Sequence, residues 1–197
     1  MKIFSIYYFM YLFICLLICI TFYFIFRKQN KKVQYIATFV PLVLAFIVHF
    51  LKLLIPEYRN NLPNSIITIT FETICATSTL IFPFIYLSKN IPLKNYFVVI
   101  GIISGLATIV LPLDAQGYHP FDIEIIRFFF AHLVILMSPL FTFIFNIHRP
   151  KGKWIKHTIL ILLAIILIVT LNNTLFTFIL EGKEAGINYL KKLNIIQ

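Results

Sequence analysis

The chain alternates long apolar stretches with short polar connections, and this pattern predicts a bundle of membrane-crossing helices. Each stretch is near the ~20 residues that a helix needs to cross a bilayer. The six predicted spans are 3–26, 33–55, 65–88, 95–112, 123–147 and 155–180. We therefore expect an all-α integral membrane protein, with a single six-span domain over residues 1–180 and a short surface tail over residues 181–197.

The composition agrees with this pattern and excludes an ordinary soluble domain. Apolar residues make up 60% of the 197 residues and charged residues 12%, and the mean hydropathy is +0.94. A soluble fold of this length could not hide so many apolar side chains, because its surface is too large relative to its core. In a membrane, lipid covers that surface. We expect a multi-pass protein of the cell membrane.

The distribution of charge predicts the orientation of the bundle. The connections after spans one, three and five carry basic residues and no acid, and the opposite side holds six of the seven acids. By the positive-inside rule both termini are therefore expected outside. The net charge of +10 then has a topological explanation and needs no nucleic-acid partner. The basic residues are Arg27, Lys28, Lys31, Lys32, Lys89, Lys94, Arg149, Lys151, Lys153 and Lys156.

The residues least compatible with lipid lie at similar predicted depths in four different spans. Ionisable groups inside a membrane are costly and usually face a bundle interior or a wet cavity. We therefore expect these residues to share one site in the outer half of the bilayer. At 1.5 Å per residue the depths are about 9 Å for His49, 12 Å for Glu72, 16 Å for Cys75, 6 Å for Arg127, 14 Å for His132 and 10–12 Å for Asn172 and Asn173.

Two of these residues suggest covalent chemistry. A cysteine thiolate can accept an acyl group and a histidine can act as its base, and Cys75 and His132 have compatible depths. Glu72 would share a helix face with Cys75 at a spacing of three residues. Glu72 or Asn172 could orient the imidazole, as the third member of a triad does. The amide of Asn172 or Asn173 could stabilise an oxyanion.

Three further residues are candidates for substrate binding. Arg127 lies near the surface, where a guanidinium could meet a lipid phosphate, and His49 and Asn173 lie deeper. The sequence holds no metal-ligand spacing, no Gly-rich phosphate loop and no HExxH or serine elbow. It therefore predicts neither a metal nor a soluble cofactor.

Each candidate also has a plainer interpretation. Cys75 could be a small buried hydrophobe, and His132 could be a hydrogen-bonding contact between helices, as could the two asparagines. Glu72 could form only a buried ion pair with Lys52 or Arg127. The functional interpretation rests on the convergence of these residues and on no single one of them.

Small residues predict close packing elsewhere in the bundle. Gly101, Ser104 and Gly105 form a face on which another helix can approach span four closely. Cys15 and Cys19 lie four residues apart in an apolar span, and we interpret them as packing residues.

Motifs in the middle of the chain indicate a family. These motifs are Leu111-Pro112, Gly117-Tyr118-His119-Pro120, Arg127-Phe128-Phe129-Phe130-Ala131-His132 and, less closely matched, Phe71-Glu72-Thr73-Ile74-Cys75. The chain resembles the YwaF-type integral membrane proteins of bacteria, which are related to eukaryotic multi-span phospholipid acyltransferases, over about residues 65–150. The resemblance implies acyl transfer on phospholipid, with Cys75 as the acyl acceptor and His132 as the matching histidine.

Two other function classes fit the same length and topology. The chain could be a small-molecule-binding membrane subunit of a transporter, in which Cys75 is incidental. It could also be a structural membrane protein without a site. In that case Glu72, His132 and Asn172 would face different neighbours and not one cavity.

Overall fold

The structure, a computed structural model, describes residues 2–54 and 70–181, and this part of the chain is all-helical. Polar residues cap several helices by accepting hydrogen bonds from their first amides: Ser5 accepts from Tyr8 N and Asn30 from Val33 N. The helices are α1 Ile6–Phe26, α2 Lys31–Phe50, α3 Ile74–Leu87, α4 Ile91–Val110, α5 Ile123–Ile144 and α6 Ile155–Glu181, with 3₁₀ turns at Leu51–Leu54, Leu113–Ala115 and Gly152–Trp154.

Five of the helices in the described ranges are long and apolar enough to cross a membrane: α1, α2, α4, α5 and α6. Helix α3 is apolar but has 14 residues, a rise of about 21 Å that is short of the ~30 Å hydrocarbon core. The predicted all-helical, multi-span architecture is confirmed in this form. The side of the membrane on which the termini lie stays a prediction. The predicted tail, apart from Glu181, and the start of the third predicted span lie outside the described residues.

The third predicted span differs from the structure at its beginning. Helix α3 begins at Ile74, and the residues from Thr70 to Thr73 are not helical. Thr73 caps α3 by accepting a hydrogen bond from Ala76 N at 3.0 Å. Glu72 therefore precedes the helix, and the prediction that it shares a helical face with Cys75 is wrong. The hydrophobic pattern runs through this cap because it records the polarity of side chains and not the end of a hydrogen-bonded helix.

Helix α5 is the centre of the bundle. It packs against α1, α2, α3 and α4, and 67% of its most apolar stretch is buried, compared with 11% for α1 and 6% for α6. The outer helices α1 and α6 thus present most of their apolar side chains outwards, as helices in contact with lipid do.

Two glycines bring α4 and α5 into close contact. A Cβ atom added to Gly101 would lie 2.5 Å from Cγ of Pro139, and one added to Gly105 would lie 2.7 Å from the backbone nitrogen of Leu136. The predicted small-residue face on span four is therefore confirmed at these two positions. Cys15 is buried in the core between α1 and α5, and Cys19 packs against that core, as predicted for packing residues.

Candidate functional site

A cavity of about 310 Å³ lies among α2, α3, α5 and the segments that adjoin them. It is lined by apolar side chains together with charged, imidazole and thiol groups. This mixture is typical of a small-molecule site, in which a few polar groups orient a ligand within an apolar wall. The charged, imidazole and thiol side chains are His49, Lys52, Glu72, Cys75, Glu124, Arg127 and His132.

Five of the seven predicted site residues line this cavity, and two do not. The five come from α2, α3, α5 and the segment before α3, although they are far apart in sequence. Asn172 and Asn173 are absent from the lining. If the protein had no site, Glu72, His132 and Asn172 were expected to face different neighbours. In the structure Glu72 and His132 line the same cavity, whereas Asn172 lies apart from it.

The imidazole of His132 is oriented by its own helix. Its Nδ1 atom lies 2.8 Å from the carbonyl oxygen of Phe128. Since a carbonyl oxygen only accepts, Nδ1 carries the proton and Nε2 carries the lone pair in the neutral ring. The Phe128 ring also packs against the imidazole, with ring centroids 4.2 Å apart. The Phe128 carbonyl thus occupies the position that was predicted for an orienting Glu72 or Asn172.

Cys75 lies at the second residue of α3, directly after the cap at Thr73. The positive end of the helix dipole acts on this first turn and favours a thiolate there. The thiol contacts α4, where Oγ1 of Thr108 lies 3.7 Å from Sγ of Cys75. The cysteine is therefore held between the start of one helix and the side of another, on the wall of the cavity.

The cavity combines two cationic and two anionic side chains. Arg127 donates to Glu124, three residues earlier on α5, in an ion pair. Lys52 lies beyond the end of α2 and is 6% exposed. Burial and the nearby Arg127 lower the pKa of Lys52, against the opposing effect of Glu72 and Glu124, to about 8. The lysine therefore stays mostly charged at neutral pH but can lose its proton more easily than a lysine in water.

Asn172 and Asn173 hold the segment that leads into α3. Nδ2 of Asn172 donates to Oγ1 of Thr70 at 3.1 Å, and Nδ2 of Asn173 donates to the carbonyl oxygen of Glu72 at 2.9 Å. These bonds fix the backbone at the position where Glu72 enters the cavity wall. The two asparagines thus lie on α6 outside the cavity lining, and they hold in place the segment that carries Glu72.

Helix α1 fixes the segment between α4 and α5, which contributes Tyr118 to the cavity wall. The hydroxyl of Tyr8 donates to the carbonyl oxygen of Val110 at 2.9 Å, and that of Tyr11 donates to the carbonyl oxygen of Pro120 at 2.7 Å. Because these two bonds hold both ends of the segment, α1 positions one wall of the cavity without lining it.

Sequence reasoning missed two charged residues of the cavity. Lys52 was considered only as an ion-pair partner of Glu72, and Glu124 was counted only among the six acids on the side opposite the basic connections. The spacing of Glu124 three residues before Arg127 is the usual signature of an ion pair on a helix, and it could have placed Glu124 beside the site. Lys52 follows the candidate His49 by three residues, and this spacing could likewise have placed it beside the site.

A helical bundle with an apolar outer surface, and with charged groups gathered around one internal cavity, defines a multi-pass membrane protein. The model of the TMEM164 family matches residues 3–193, and the chain belongs to this family. No curated protein and no solved structure matches the chain. The YwaF-type resemblance, the acyltransferase chemistry and the choice of membrane stay predictions.

Proposed function

We propose that the protein is an acyltransferase that acts on phospholipid acyl esters, with Cys75 as the nucleophile and His132 as its base. The observation that carries the proposal is the presence of both residues in the lining of one cavity, with His132 Nδ1 bonded to the Phe128 carbonyl. This bond leaves Nε2 of His132 as the basic nitrogen. A nucleophile beside an oriented base is the arrangement used in covalent acyl transfer.

The first half of the proposed reaction forms an acyl-enzyme. Nε2 of His132 takes the proton of the Cys75 thiol, and the thiolate attacks the ester carbonyl carbon of a phospholipid. The C–S bond forms, the ester C–O bond breaks, and His132 returns the proton to the departing alkoxide, which leaves as a lysophospholipid. The thioester now holds the acyl group on Cys75.

The second half transfers the acyl group to a lysophospholipid. The acceptor hydroxyl gives its proton to His132 and attacks the thioester carbonyl carbon. The new ester C–O bond forms, the C–S bond breaks, and the proton passes from His132 to the sulfur of Cys75. Donor and acceptor are then exchanged with no change in redox state and with no cofactor.

The cationic side chains of the cavity support a phosphate-bearing substrate. A guanidinium is suited to a phosphate because its planar donors match the phosphate oxygens. Among the described residues, the buried Nε atom of Arg127 has no hydrogen-bond partner, so it is available as a donor. Lys52 adds a second positive charge to the cavity lining. In this proposal His49 contributes to substrate binding, and Glu72 balances the charge of Lys52.

Labelling of membranes with an acyl probe tests the proposal. The variants are Cys75→Ser, His132→Ala and Cys15→Ser, the last as a matched control in the core between α1 and α5. We expect labelling of the wild type and of Cys15→Ser, loss of labelling in Cys75→Ser, and a fall of about 100-fold in the labelling rate of His132→Ala. A Cys75 that reacts no faster than Cys15 and Cys19 would make it a packing residue.

The mixed charges of the cavity also favour a second candidate, a small-molecule-binding subunit of a transporter. Two cations and two carboxylates around about 310 Å³ suit a small solute with groups of both signs. In that case a solute would bind reversibly, and Cys75→Ser would leave its affinity unchanged. Equilibrium binding of small zwitterions to the purified protein, measured beside the labelling experiment, separates the two functions.

A further inference from the structure

Thr108 on α4 has a defined hydrogen-bond role towards Cys75. Its Oγ1 atom lies 2.8 Å from the carbonyl oxygen of Ser104, and it lies 3.7 Å from Sγ of Cys75. A hydroxyl has one proton, and a carbonyl oxygen can only accept, so the proton of Thr108 is directed at Ser104. Towards the thiol, the oxygen of Thr108 therefore acts as an acceptor.

We infer that Thr108 is a positioning residue that holds Cys75 in its protonated, resting form by accepting the S–H hydrogen bond. This inference rests on the proposed role of Cys75 as the nucleophile. An acceptor beside a thiol stabilises the neutral S–H group and gives nothing to the thiolate. Thr108 thus opposes ionisation of the same sulfur that the proposed mechanism must ionise.

The bond to Thr108 matters because other groups around Cys75 favour its ionisation. The first turn of α3 and the cations Lys52 and Arg127 in the same cavity lining favour a thiolate, against the opposing charges of Glu72 and Glu124 in that lining. A permanent thiolate on an open cavity would be alkylated or oxidised without any substrate. With its proton held towards Thr108, the thiol becomes a nucleophile only when the S–H bond turns towards His132 and the proton passes to Nε2.

The two alternative acceptors of the Cys75 proton lie on different helices. Thr108 is on α4, and His132 is on α5, whereas Cys75 is on α3. Rotation about the Cα–Cβ and Cβ–S bonds of Cys75 would turn its proton away from Thr108 and towards the cavity. Thr108 lies outside the cavity lining, whereas Cys75 and His132 are both part of it, so the rotation turns the proton towards the side on which a substrate would bind.

The pH dependence of Cys75 alkylation tests the inference on the full chain in lipid nanodiscs. Iodoacetamide is the probe, and mass spectrometry of the Cys75 peptide separates this residue from Cys15 and Cys19. The variants are Thr108→Val, which keeps the shape of the side chain and removes the acceptor, and Thr108→Ser, which keeps the hydroxyl. Thr158→Val is the matched control, since the buried Thr158 also donates to a carbonyl four residues earlier, that of Trp154.

We expect Thr108→Val to alkylate about threefold faster at pH 7, the effect of losing one weak hydrogen bond to the neutral form. The pH of half-maximal rate should move down in Thr108→Val and should stay unchanged in Thr108→Ser and Thr158→Val. An unchanged profile in Thr108→Val would overturn the inference. A slower reaction would also overturn it, because Thr108 would then donate to the thiolate.

The control measurements separate a folding defect from a failed inference. The unfolding temperature of each variant identifies a loss of structure, and Thr108→Ala gives a second removal of the acceptor if Thr108→Val does not fold. Alkylation needs no acyl transfer. A negative result therefore leaves the proposed function standing, whereas loss of the function alone would appear as acyl-probe labelling that does not depend on Cys75.

Discussion

The carbonyl oxygen of Phe128 accepts the Nδ1 proton of His132 at 2.8 Å, one turn earlier on the same helix. The imidazole is therefore held by the backbone of α5 and needs no carboxylate from another helix. A backbone carbonyl cannot take up a proton at neutral pH, so the tautomer of His132 stays fixed through a reaction cycle.

The first prediction concerns the base. We expect His132→Ala to lower acyl transfer by about 100-fold, since general-base catalysis contributes ~10²–10⁴. Added imidazole should restore part of the activity, because the removed ring leaves space on the cavity wall. His119→Ala, in the connection before α5, is the control and should keep its activity. Equal activity of His132→Ala and the wild type, measured with a fluorescent lysophospholipid acceptor, would contradict the role of His132.

A second prediction concerns the contact of α4 with α5. Gly105→Ala should lower the free energy of unfolding by about 1–3 kcal/mol, since the new Cβ meets the Leu136 backbone, which cannot move without shifting a helix. Gly152→Ala is the matched control, because nothing lies within 4 Å of its added Cβ, and its effect should stay within about 0.5 kcal/mol. Unfolding of the purified protein in mixed micelles gives both values. Similar values for the two variants would show that α4 and α5 can accommodate a methyl group at Gly105.

A third prediction separates binding from chemistry at Arg127. Arg127→Gln should raise KM for a phosphate-bearing lipid about tenfold and change kcat less, if the guanidinium binds a phosphate that stays distant from the reacting ester. Arg127→Lys should recover only part of this loss, since an ammonium cannot offer the same pair of donors. Arg149→Gln, at the connection between α5 and α6, serves as the control. A fall in kcat with constant KM would place Arg127 in the chemical step.

The connection between α5 and α6 is held by Asn95 at the start of α4. Nδ2 of Asn95 donates to the carbonyl oxygen of Lys151 at 2.9 Å, and its Oδ1 accepts from Nε2 of His148 at 3.1 Å and from the amide of Lys151 at 3.3 Å. Asn95 is 2% exposed. Three bonds on one buried side chain therefore join this connection to the bundle.

A fourth prediction follows from the pKa of His148. Burial, with the nearby charges of Lys94 and Lys151, lowers the pKa of His148 below its ordinary 6.5. Below pH 6.5 the unfolded chain then binds more protons at this residue than the folded chain. The contribution of His148 to the free energy of unfolding should be constant above about pH 6.5. It should fall as the pH drops from there through the lowered pKa of the folded chain.

Comparison with His148→Gln isolates this contribution from other titrating groups. The wild type should lose more stability than the variant between pH 7 and pH 5, measured by unfolding of the purified protein in micelles. Lys153→Gln, in the same connection, should keep the pH dependence of the wild type. Parallel curves for the wild type and His148→Gln would show that His148 takes up a proton without disturbing Asn95.

The sequence predicted the helical bundle and part of the cavity for one physical reason. A membrane helix must place each ionisable group away from lipid. His49, Arg127 and His132 lie in apolar spans, so each must face the interior of the bundle. Their similar depths were therefore sufficient to predict that they lie near one another. The glycines of α4 were predictable for a similar reason, because a face of small residues has value only where another helix approaches it.

The positions that escaped prediction depend on details that hydropathy does not record. The start of α3 at Ile74 follows from the cap at Thr73, a single hydrogen bond within an apolar stretch. Asn173 was expected in the site, but its partner is a backbone carbonyl that is exposed only because the helix has not yet begun there. Lys52 lies near the end of a span, where a long side chain can reach either water or an internal cavity, and hydropathy alone does not distinguish the two.

The tyrosine bonds of α1 impose an order on biosynthesis. Tyr8 and Tyr11 bond to residues that follow them by 102 and 109 positions. A chain grows from its N-terminus at about 5–20 residues per second, so α1 waits roughly 5–20 s before its partners leave the ribosome. During this interval two tyrosine hydroxyls must be satisfied by water or lipid headgroups. Of the six described helices, α1 is synthesised first, and the cavity wall that it positions can close only after α4 has been synthesised.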